Sequence, residues 1–131
     1  MKTLLEQKEE LKKKLNNVQD KLDKEIALEH YPKIKARYEG KCFKCPNGYG
    51  GDRKWWMFIK VTEINIDDVY DTGGNGITAR YKGVSFQITT SNEIQINVDD
   101  RGFVHSLGVE IKLKAFNKER DKLVARLKSV L

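Results

Sequence analysis

Cys42-Phe43-Lys44-Cys45 sets two soft ligands at C-x-x-C spacing. With His30 and His105 they would compose a Cys2His2 set for a borderline-soft ion such as zinc. The supporting pattern is missing, because no second close pair follows and the histidines are far apart. On one extended strand Cys42 and Cys45 point to opposite faces, and a redox C-x-x-C needs a βαβ context that is absent. Buried, inert cysteines are expected, with a metal held by Cys42 and Cys45 as the lesser alternative. Gly48-Tyr49-Gly50-Gly51 before Arg53-Lys54 invites a phosphate cradle. Its spacing fits neither a P-loop nor a dinucleotide fingerprint, and a strand follows where a helix should begin. Gly73-Gly74-Asn75-Gly76 reads as a loop tip. Asp67, Asp68, Asp71, Asp99 and Asp100 fall at strand ends, where solvation explains them better than paired acid–base work. Ser85, Ser91 and Ser106 lack a nucleophile elbow, and His105 is expected near the rim of the strand region. No catalytic residue is assigned, no cofactor is expected, and the chain reads as non-enzymatic.

Recognition is the better prospect, and Arg53-Lys54-Trp55-Trp56-Met57-Phe58 is the richest stretch for it. Adjacent tryptophans on a strand face opposite sides, so one enters the core. An outward Trp56, with Phe58 two residues on, could stack bases or anchor a protein partner. A helix covering both faces is the competing reading. Lys41 and Lys44 precede the glycine loop, Arg53 and Lys54 follow it, and Tyr49 stands at its tip. The candidate binding set is therefore Lys41, Lys44, Tyr49, Arg53, Lys54, Trp56 and Phe58.

Helices and strands must hold these residues. From Lys2 to Glu29 there is no Gly or Pro, and Leu4, Leu11, Leu15, Val18 and Leu22 occupy a and d positions of a heptad. Lys8 stands at an a position and Glu25 at the next d. Such a helix, roughly 40 Å long, wants a helical partner. Tyr31-Pro32 should end it. Leu113, Phe116, Leu123, Leu127 and Val130 or Leu131 recur at helical spacing from about Lys112 onward. An antiparallel pair of the two helices is favoured over a dimer through the first. Between them lie candidate strands: Arg37 to Lys44 with a bend at Gly40, Trp55 to Val69 with a bulge near Thr62, and Ile77 to Thr89. Glu93 to Val98 follows, with Ile94, Ile96 and Val98 alternating, then Phe103 to His105 after a turn at Asp100-Arg101-Gly102, and Val109 to Ile111. The expected fold is α+β. It comprises a coiled-coil helix over 1–30, a small antiparallel β-barrel of SH3 or OB type and about five strands over 33–111, and a C-terminal amphipathic helix over 112–131 packed on the first.

The chain has 131 residues and a net charge of +6. Residues 1–29 are neutral, with seven Lys against seven acidic residues, so Lys12-Lys13-Lys14 reads as a solvated helix face. The basic excess lies between His30 and Lys60. No apolar run approaches the roughly 20 residues of a membrane span, and Met1 to Glu10 has no secretory core. A cytoplasmic location in a host cell, without membrane association, is expected.

The leading charged helix, Tyr38-Glu39-Gly40-Lys41-Cys42-Phe43-Lys44, Trp55-Trp56-Met57-Phe58-Ile59-Lys60-Val61 and the closing amphipathic helix together resemble small accessory proteins of bacterial phages and prophages. That class includes anti-CRISPR and other anti-defence inhibitors, which act by binding and occlusion. The resemblance implies an inhibitor of a host nucleic-acid-handling defence complex, such as a CRISPR effector, and carries no site residues over. Direct binding of DNA or RNA by a small barrel is the alternative. Either a monomer or a dimer through the first helix is compatible with the pattern.

Overall fold

Thr3 opens the first helix. Its hydroxyl accepts the Glu6 N–H at 3.1 Å, and the Glu6 carboxylate suits the positive end of the helix. In the computed structural model, which describes residues 1–46, 56–72, 76–88 and 93–131, this helix, α1, spans Leu4–Tyr38. It therefore passes through Pro32, contrary to the expected stop at Tyr31-Pro32. Proline in a helix interior removes one hydrogen bond and crowds the preceding turn, at a cost of about 3 kcal/mol. Tyr31, Ile34 and Tyr38 pack against the core on the sheet, and burying such side chains contributes roughly 1.5–3 kcal/mol each when complete. Tertiary packing thus carries the helix beyond its local breaker.

The expected strand over Arg37 to Lys44 is consequently split. Gly40, at φ 76°, takes the left-handed conformation that ends the helix, and its N–H donates to Val61 O at 2.8 Å. Val61 N–H returns a bond to Lys41 O at 3.0 Å. The chain then enters β1, Cys42–Pro46.

Four more strands follow: β2 (Trp56–Asp71), β3 (Ile77–Ile88), β4 (Ile94–Phe103) and, after a 3-10 turn at Val104–Ser106, β5 (Val109–Ile111). All pairings are antiparallel, in the order β4-β3-β2-β1-β5. The sheet is open at β4 and β5, so the architecture is α+β without a closed barrel. The bulge expected near Thr62 is present, as a register shift between Val61 and Glu63. Ile64 N–H, just beyond it, donates to Glu39 Oε2 at 3.1 Å. The carboxylate at the end of α1 thereby satisfies a backbone donor beside the irregular pairing.

No turn interrupts Asp100-Arg101-Gly102, which continues β4 against Gly83, Lys82 and Tyr81. Gly102 leaves room for the Tyr81 ring, since a Cβ there would lie 3.1 Å from it, and Tyr81 OH donates to Asp100 at 3.2 Å. Gly108, at φ 81°, leads into β5 where a Cβ would stand 2.4 Å from Lys44 O. Only glycine fits that approach.

The last helix, α2, spans Leu113–Val130. Strand alternation gives the sheet two apolar faces. On one, Ala27 of α1 joins Phe43, Cys45, Ile59, Val61, Ile64 and Tyr81. On the other, Phe116 and Leu123 of α2 cluster with Cys42 and Phe86, flanked by Phe58 and Ile111. The expected packing of α2 on α1 is thus replaced by packing of the two helices on opposite faces. A sheet with two apolar faces needs a cover on each, and one helix goes to each.

Candidate binding surface

The two-sided sheet decides where each candidate residue goes. Register pairs Cys42 with Lys60, Lys44 with Phe58 and Pro46 with Trp56, so Lys44, Trp56 and Phe58 share the α2 side. Phe58 is not outward there. Its ring stacks on Phe86 at 5.5 Å, and Phe86 meets Phe116 of α2 at 5.4 Å. The expected exposed aromatic pair is therefore corrected to Trp56 alone, because α2 reaches Phe58. Trp56 keeps 42% of its surface exposed, and Lys44 Nζ lies 4.5 Å above its ring. A cation over an indole face is worth about 0.5–1 kcal/mol at an exposed site, which biases the ring toward this orientation several-fold. Val109, paired with Lys44 on the edge strand β5, is exposed beside them. Lys41 is exposed where the chain leaves α1. Tyr49, Arg53 and Lys54 lie outside the described residues, as do Trp55 and Ser91.

The thiols are set apart from any shared chemistry. Cys42 is buried in the α2-side cluster and Cys45 in the α1-side cluster, so the sheet separates them. Burial pushes both thiols above their ordinary range. For Cys42, Lys60 opposes the rise and Glu110 adds to it; for Cys45, Asp100 adds to it. Both stay protonated and poorly nucleophilic near neutral pH. His105 stacks on Phe103 at 5.3 Å, with Nδ1 3.4 Å from the Thr78 hydroxyl. Among the described residues no three His, Cys, Asp or Glu side chains converge as a metal set.

The carboxylates are spread out. Asp67, Asp68 and Asp71 are exposed, and Asp99 pairs with Arg101 at 3.1 Å. Asp100 accepts from Tyr81, whose phenol is pushed up by burial first and by Asp100 second. Arg80, which lies over Phe103 at 5.2 Å, and Lys82 line a cleft that also takes Glu63 and Asp68, so both charge signs are present.

A second surface was legible only in part. Every residue from 1 to 25 is exposed, including Leu4, Leu11, Leu15, Val18 and Leu22. Sequence reasoning found this stripe and gave it the wrong partner. A readable signal was available in its helical phase. At 100° per residue the stripe lies about 160° around α1 from Ala27, Tyr31, Ile34 and Tyr38, the residues on the sheet. It faces away from the chain's own core.

Searches of protein-family models, of curated proteins and of solved structures find no match to this chain.

Proposed function

We propose that the chain is a non-enzymatic binding protein that docks a host protein or nucleoprotein complex through the corner formed by Trp56, Lys44 and Val109. Its effect is occlusion, in keeping with the likeness to phage accessory proteins and their anti-defence inhibitors. One observation carries the reading: Trp56 is exposed at the start of the central strand β2, with Lys44 over its ring. A large aromatic already biased toward one orientation loses less side-chain entropy on docking, which favours it as an interface anchor. Lys41 and Lys44 add electrostatic steering toward an acidic target.

The experiment compares wild type with Trp56→Ala as bait in a bacterial lysate, followed by affinity measurement on the captured complex. Truncation should weaken binding by over about 1.4 kcal/mol, a factor of ten. The melting temperature should change little, because the side chain is exposed. Equal capture by both proteins would remove this corner as the site. Recovery of only ribosomal or metabolic proteins would sink the defence-complex reading.

Direct nucleic-acid binding is the second reading, favoured by α2, which exposes Lys114, Lys118, Lys122 and Lys128. Backbone neutralisation requires log K to fall linearly with log salt, by about 0.9 per phosphate on duplex. An absence of any shift with DNA or RNA in low salt would retire it while leaving protein docking intact.

A further inference from the structure

The exposed stripe on α1 is open to an occupant, since helices in proteins draw most of their stability from covering an apolar face. The seam also carries three charged residues: Lys8, Glu25 and Glu29 occupy a or d positions and are exposed. Any partner has to answer them as well as the leucines.

A second copy answers Lys8 and Glu25 in one arrangement. With two α1 helices antiparallel and Leu15 of one facing Val18 of the other, the next layer outward sets Leu11 against Leu22. The layer beyond sets Lys8 of one copy against Glu25 of the other, and the twofold axis repeats it. Leu5 then falls beside Ile26 on the flank. Shifting the helices by one heptad, so that Leu11 faces Leu15, puts Lys8 against Val18 with no acid opposite. A parallel pair sets Lys8 on Lys8 and Glu25 on Glu25. The first arrangement matches Leu11, Leu15, Val18 and Leu22 with apolar residues and each Lys8 with an acid, and leaves only Leu4 opposite Glu29, at the two ends of the overlap. Its like-charged contact, Lys14 beside Lys21 at the solvated flank, is repeated by the twofold axis and costs about a few tenths of a kcal/mol each time.

The fold leaves room for this. Overlap of residues 4–29 carries the partner helix alongside Glu25 and Glu29, close to where Ala27 meets the sheet. Because the seam and the sheet-packed residues are about 160° apart around α1, the partner passes on the open side. We infer that the chain forms an antiparallel homodimer through residues 4–29 of α1, its register fixed by two Lys8–Glu25 pairs between copies. This is independent of the Trp56 corner, which lies on the other side of the sheet.

Sedimentation of the full chain over a micromolar concentration range tests it. Wild type should sediment as a dimer; Lys8→Glu alone and Glu25→Lys alone should each weaken the dimer about tenfold or more, by turning two attractive contacts repulsive. The double variant should recover the wild-type dimer; a parallel pair would instead leave both single variants at wild-type strength, because each change replaces one like-charged contact with another. Oxidation of an equimolar mixture of Lys8→Cys and Glu25→Cys chains should give the mixed disulfide. Lys8 and Glu25 are both exposed in the single chain, so circular dichroism should show each variant folded. A chain monomeric at about 100 µM, a Lys8→Cys homodisulfide in place of the mixed one, or a double variant no better than the singles would overturn the inference.

Discussion

The two helices of this chain carry apolar stripes of similar sequence character and opposite fates. Along α2, Phe116 and Leu123 are buried and Leu127 is half-buried, all on the sheet. Along α1, Ala27 is the single buried residue, and the leucines of the first six turns face solvent. What separates them is phase. The α2 stripe stays in register with its docking face, whereas the α1 stripe rotates to the far side of the helix before the sheet begins. A heptad pattern therefore states that a helix has a partner without stating which one.

The contrast yields graded tests. Phe116→Ala should cause the largest effect, a loss of about 3–5 kcal/mol by denaturant unfolding, because it empties the centre of the α2-side cluster. Leu15→Ala on the exposed stripe should leave single-chain stability within about 0.5 kcal/mol, as an uncovered surface position does. Comparable losses from the two, measured at a concentration low enough to dissociate any dimer, would mean that the α1 stripe is covered within one chain.

Next in size is Glu39→Ala. It removes the carboxylate that accepts Ile64 N–H at 3.1 Å and faces Lys35 at 3.9 Å, leaving a part-buried donor unpaired. A loss of about 1–2 kcal/mol in thermal unfolding is expected, with earlier hydrogen exchange at Ile64. Wild-type exchange at that amide would show that α1 is not tied to the bulge.

The smallest effect concerns pH and vanishes at neutrality. Cys42 and Cys45 lie above the ordinary thiol value of 9.0, and Tyr81 above the ordinary phenol value of 10.0. Below about pH 9 both folded and unfolded chains keep these protons. Above it the unfolded chain releases them first, so stability falls as pH rises toward the folded values. A melting temperature that is flat or rising on the alkaline side of pH 9 would contradict the burial of these groups.

Much of this architecture can be read from pattern. Period two gives β3, β5 and most of β2, and the switch from Val61 to Ile64 announces the bulge at Thr62. Period 3.6 gives α2 with its start near Lys112. What escapes is decided by distant partners. Pro32 breaks a helix locally, but Ile34 and Tyr38 find the core and hold the turn together. Asp100-Arg101-Gly102 has turn composition, yet Tyr81 recruits Asp100 and fills the space beside Gly102. Ile96 and Val98 alternate as core residues and are left open on an edge strand. Closure of a barrel needs β4 to meet β5, and no local run of residues encodes that meeting. At the candidate site, the sequence placed Trp56 and Phe58 on one face; it could not say that Lys44 would join Trp56 there or that Phe86 and Phe116 would claim Phe58.

The length of α1 then acquires a use as a ruler. Helical rise is 1.5 Å per residue, so Ala27 lies about 16 Å from the midpoint between Leu15 and Val18. In the proposed antiparallel pair the two sheets would be spaced by about 30 Å along the rod, each with its own Trp56. A target with a single docking site would feel one weak contact. A target that repeats its site at that spacing would meet the second copy at high effective concentration and be held by avidity, with no new contact required.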